Sequence, residues 1–106
     1  MEALEALANK LQRKDEIAYV YLFHGYTIVV LKNGTNEVID MPIDAIEKYL
    51  SDYYFFRTHR SVLVNLLKIN ELEIKNNQLL IKMRGHELPV SRRRKKKLLE
   101  LLGAVS

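Results

Sequence analysis

The chain contains no cysteine. That excludes disulfides, a thiolate metal site and a cysteine nucleophile, and it permits a reducing compartment. No apolar stretch approaches the roughly 18 residues a membrane-spanning helix requires. The opening Met1-Glu2-Ala3-Leu4-Glu5-Ala6-Leu7 carries acid where a secretory signal carries base, so a cytoplasmic location without membrane insertion is expected. Catalytic signatures are missing too. There is no Walker-type glycine loop, no pair of glycines after a strand, no G-x-S-x-G elbow around Ser61 and no H-E-x-x-H helix. His24, His59 and His86 share no short metal-ligand spacing. We therefore expect no catalysis, no cofactor and no metal.

What is present fits one domain. A chain of 106 residues, 48 % of them apolar, leaves no room for a second core and argues against disorder. At this length about 65 % of the unfolded surface is buried on folding, enough for a core without staples. The net charge of +4 conceals an asymmetry. Residues 1–56 hold five Lys/Arg against nine Asp/Glu, whereas residues 57–97 hold twelve against three. An acidic half joined to a strongly basic half suits a protein that turns one face to a polyanion.

Periodicity sets the expected elements. Leu4, Leu7, Ala8 and Leu11 recur at helical spacing over Glu2–Gln12, a narrow stripe that needs docking to persist. Ile17–Phe23 and Tyr26–Leu31 are β-branched and aromatic and flank His24-Gly25, which predicts a hairpin. Asn33-Gly34 is a type I′ turn signal, and Glu37–Met41 reads as a third strand. Pro42 then opens about two turns of helix with Ile43, Ile46 and Leu50 inward. Ser61–Asn65 reads as a tight turn or single helical turn. Lys68–Ile69, Leu72–Lys75, Gln78–Met83 and His86–Val90 read as short strands parted by Asn76-Asn77 and Arg84-Gly85. Ser91 is placed to cap a helix over Arg92–Leu102, with Gly103 as its stop. The expectation is a mainly β fold: an elongated stack of small antiparallel sheets, a short central helix, and a helix at each end. Residues 1–14 form the N-terminal helix and 15–106 the domain proper.

Two segments carry the chemistry. Arg92-Arg93-Arg94-Lys95-Lys96-Lys97 can be a solvated helix face. However, three arginines in a first helical turn oppose the helix dipole, and stacked cations repel along i,i+3 and i,i+4. A placement that costs stability suggests a phosphate surface opposite. Arg57, His59 and Arg60 form the second segment. Strand alternation puts Arg57 and His59 on one face and Thr58 and Arg60 on the other. From there Arg60 can reach a guanine edge bidentately. His59 alone is better read as a hydrogen-bonded histidine. The hairpin tip at His24-Gly25-Tyr26-Thr27 offers a ring, a phenol and a hydroxyl, and is either turn chemistry or a third contact. Tyr49, Tyr53 and Tyr54 read as core and rim, not as a base-stacking platform.

At Phe55-Phe56-Arg57-Thr58-His59-Arg60-Ser61-Val62-Leu63-Val64-Asn65, followed by Ile69 and then Leu88-Pro89-Val90-Ser91-Arg92, the chain resembles the LytTR family of bacterial DNA-binding domains. The resemblance spans about Asp15–Leu102. It implies transcription regulation by loops that enter successive major grooves of a promoter, typically at paired direct repeats. It places base contacts on Arg60 and Arg92, with a third at the tip on Tyr26 and Thr27. Backbone contacts then fall to Arg57, Ser61, Ser91, Arg93, Lys95 and Lys96, while His59 and Asn65 brace the recognition turn. Most members of the family, where the domain is the effector of a response regulator, carry an N-terminal phospho-receiver. Here the Glu2–Gln12 segment stands in that place. The chain is either a free-standing regulator or a piece of a longer one, and the opening Met favours the former.

The expected partners are double-stranded DNA, a second copy on paired repeats and a regulatory protein. The rival reading is a basic interaction module for an acidic protein or an anionic membrane surface.

Overall fold

The computed structural model describes residues 16–51 and 54–105. The expected Glu2–Gln12 helix and Tyr53 lie outside them. The described residues form eight antiparallel strands in two sheets. β1 (Ile17–Phe23), β2 (Tyr26–Leu31), β3 (Asn36–Ile39), β4 (Phe55–His59) and β5 (Val62–Asn65) make the larger sheet, in the order β3-β2-β1-β5-β4. β6 (Glu71–Lys75), β7 (Gln78–Met83) and β8 (His86–Pro89) make the smaller, a simple meander. α1 (Ile43–Tyr49) lies between β3 and β4, and α2 (Arg92–Val105) follows β8.

Each face of the larger sheet has its own core. Ile17, Val20, Val29, Ile39 and Leu63 pack with Ile43, Ile46 and Leu50 of the α1 region. Tyr19, Val30, Val62 and Val64 face the other way, against Leu79, Ile81, Met83 and Leu88 of the smaller sheet and Leu98 of α2. The result is a three-layer stack of 41 × 30 × 24 Å. A bulge between Ile17 and Tyr19 turns Ala18 and Tyr19 to the same face, and four successive β1 residues are buried because both faces of the sheet are covered. α1 starts at Pro42, whose φ of −62° suits a helix entry, and its dipole is complemented by Asp44 early and Lys48 late.

Several elements differ from expectation. Val62–Asn65 is a strand, not a turn. It runs between β1 and β4 with all four residues buried, so it shows no polar alternation to mark it. The helical turn comes next, as a 3₁₀ turn over Leu66–Lys68 where a strand was expected at Lys68–Ile69. The third strand begins one residue earlier and ends two earlier than read. α2 passes through Gly103, which has no positive φ, and reaches Val105. A helical glycine costs only about 1 kcal/mol relative to alanine, too little to end a helix docked through Leu98, Leu101 and Leu102. No helix among the described residues is long and apolar enough to cross a membrane.

Candidate nucleic-acid interface

The β4–β5 turn, Arg60-Ser61, is the centre of the site. Strand alternation fails just before it. Arg57 pairs with Leu63 and His59 with Val62, so Thr58 is an extra residue in a bulge. Thr58 is driven fully inside, and Arg60 no longer shares a face with it. His59 Nδ1 accepts from the Ser61 backbone N–H at 3.2 Å and lies 2.9 Å from the Ser61 hydroxyl, which closes the turn. Asn65, 1 % exposed, donates to the Ile17 carbonyl at 2.9 Å and accepts from the Leu67 N–H at 3.0 Å. Asn65 thus spends its polar atoms on the backbone, and His59 spends Nδ1 on Ser61.

Two other elements are fastened to this turn. The Leu22 N–H donates to the Ser61 carbonyl at 3.0 Å, which sets the β1–β2 tip beside it. On the other side, the Thr58 hydroxyl donates to the Pro89 carbonyl at 3.0 Å, and the Ser91 N–H donates to the Thr58 carbonyl at 2.8 Å. The Arg94 guanidinium adds a bond to the Arg57 carbonyl at 2.9 Å. The start of α2 is therefore moored to β4, and two segments some 30 residues apart in sequence become neighbours.

The side chains then sort by what they can still reach. Arg60, Arg92, Arg93 and Lys96 are exposed, and none has an ion-pair partner among the described residues. Lys95 is half-buried. At the tip, His24 and Gly25 hold φ of 48° and 84°, the left-handed pair of a type I′ turn, and Tyr26 is 62 % exposed. Phe23 stacks edge-on against His24 with ring centroids 4.3 Å apart.

Four other expected contact residues are buried or half-buried. Thr27 is only 4 % exposed and gives its hydroxyl to the Met41 carbonyl at 2.6 Å, so it ties the hairpin tip to the segment that leads into α1. Arg57 is 11 % exposed and faces inward to Asp44 and Glu47 of α1, so it is not free for a phosphate. Ser61 is half-buried beside His59. The Ser91 hydroxyl is buried without a partner, so it neither caps α2 nor faces solvent. Sequence reasoning also missed Thr58, Arg94, Asp44 and Glu47. The i,i+3 spacing of Asp44 and Glu47 was visible, but its partner across the fold was not.

Comparison with known proteins agrees with this fold. A family model described as the LytTr DNA-binding domain matches residues 9–103. A response regulatory protein of uncharacterised function from Vibrio cholerae serotype O1 is 49 % identical over 49 residues. That match spans 44 % of this chain and 21 % of the Vibrio protein's length. Among solved structures, the fold is similar to the LytTr DNA-binding domain of a methyl-accepting/DNA response regulator from Bacillus cereus. The TM-score is 0.72 at 24 % identity, covering 83 % of this chain and 82 % of that one. The chain belongs to the LytTr family, whose members are DNA-binding domains of transcription regulation and not enzymes.

Proposed function

We propose that this domain reads double-stranded DNA by sequence, with Arg60 and Arg92 on base edges in the major groove and Tyr26 at the tip as a third, flanking contact. Arginine suits the task because its planar fork matches the O6 and N7 acceptors of guanine. Arg93, Lys95 and Lys96 supply phosphate attraction that is blind to sequence, helped by the positive end of the α2 dipole. The observation that carries this reading is the mooring of the α2 start to the β4–β5 turn. It holds side by side two elements that carry exposed arginines, none of these with an ion-pair partner among the described residues.

The promoter-level reading is two copies on paired direct repeats of bacterial DNA, in the cytoplasm, under control of a regulatory protein. Selection from a random duplex library tests both levels. An enriched motif that recurs head-to-tail supports the reading. Equal retention of all duplexes, together with binding to anionic vesicles or acidic proteins, would sink it in favour of a general basic module.

A further inference from the structure

We infer that Arg57, Asp44 and Glu47 form a clamp that pre-organises the Arg60 turn, so that discrimination between DNA sequences depends on two α1 carboxylates that do not touch DNA. The inference rests on the assignment of Arg60 as a base-reading group.

Arg57 uses its guanidinium on both sides. Nε donates to the His59 carbonyl at 3.0 Å, and a terminal nitrogen donates to the Arg60 carbonyl. The other terminal nitrogen donates to Asp44 Oδ1 and Glu47 Oε1, each at 2.8 Å. The two carbonyls that define the entry to the turn are thereby tied to a helix whose Ile43 and Ile46 are sunk in the core. Arg57 is nearly inaccessible, whereas the Asp44 side chain is 83 % exposed and Glu47 is 45 % exposed. Two solvated carboxylates thus hold the buried cation that holds the turn. Lysine cannot substitute, because a point charge lacks the planar fork that spans carbonyls and carboxylates together.

A turn freed of this restraint adopts the competent geometry only part of the time. Apparent affinity for the cognate site then falls in proportion to that fraction. Phosphate attraction by α2 does not require the turn and is unaffected.

The test is the double variant Asp44→Ala/Glu47→Ala, with Arg57→Lys alongside, titrated against a selected operator and against random duplex. Removing two negative charges should by simple electrostatics tighten both duplexes. The clamp predicts the opposite sign for the operator: about tenfold weaker binding if the competent fraction falls to a tenth. Random duplex should bind as well or slightly better. Amide exchange at Arg60 and Ser61 in the free protein should accelerate, with the melting temperature as a control for global unfolding. Unchanged exchange at the turn, with both duplexes bound equally or more tightly, overturns the clamp. Faster exchange with discrimination intact also overturns the inference, and places the fault in the assignment of Arg60.

Discussion

At the scale of single residues, the site separates arginines that face out from arginines that face in. Arg60 and Arg92 are exposed at neighbouring elements, whereas Arg57 is bound to backbone and carboxylates and Arg94 to backbone. Arg60→Ala and Arg92→Ala should each remove roughly 1–3 kcal/mol of preference for the operator over random duplex. Lys96→Ala should weaken all duplexes alike and lower the salt slope by about one unit. Equal losses on both duplexes for all three variants would refute this division. Asn65 offers a stability counterpart. Asn65→Ala leaves the Ile17 carbonyl and the Leu67 N–H without their partner in a buried site, and should cost about 2–4 kcal/mol in urea unfolding. Little of this sorting was legible beforehand. The motif offered Arg57, Arg60, Ser91 and Arg92 alike as contact candidates. Only the bulge at Thr58 and the packing of α1 decide which of them face solvent.

At the scale of elements, helix and strand termini respond to local chemistry. Gly103 lies within α2 and is exposed, with open space where a Cβ would sit. Gly103→Ala should raise stability by up to about 1 kcal/mol, measured as a higher denaturation midpoint without change in DNA affinity. On the outer face of the smaller sheet, the Lys82 ammonium lies 2.5 Å from Glu73 and holds its carboxyl below the usual range. A folded-state value below the unfolded one gives stability that is present at neutral pH and lost as pH falls through the carboxylate range. Both groups are open to water, so the effect is small. Glu73→Gln should lower the neutral midpoint slightly, leave the midpoint below the carboxylate range nearly unchanged, and so flatten the acid limb of the stability profile. The hairpins β1–β2 and β7–β8, and α1 after Pro42, were readable because turn chemistry and alternation agree there. β5 was not, because a strand buried on both faces has no polar side to announce it.

At the scale of the whole molecule, the charge asymmetry of the sequence becomes a division in space. α1, with its carboxylates, covers one face of the larger sheet, and basic α2 packs on the other. A binder that neutralises three to five phosphates should show log K falling with log salt at a slope of about −3 to −4.5. A slope near zero on the operator would contradict a cationic interface altogether.

Thr58 acts as the spacer of a calliper. Its hydroxyl and its carbonyl both grip the strand that leads into α2, while two residues later the same chain presents Arg60. The separation between the two proposed reading points is therefore cast into the protein and cannot stretch with the operator. One base pair inserted between the positions they read shifts the second by about 3.4 Å and rotates it by roughly 35°. A domain gauged in this way should reject such an insertion as firmly as it rejects a wrong base.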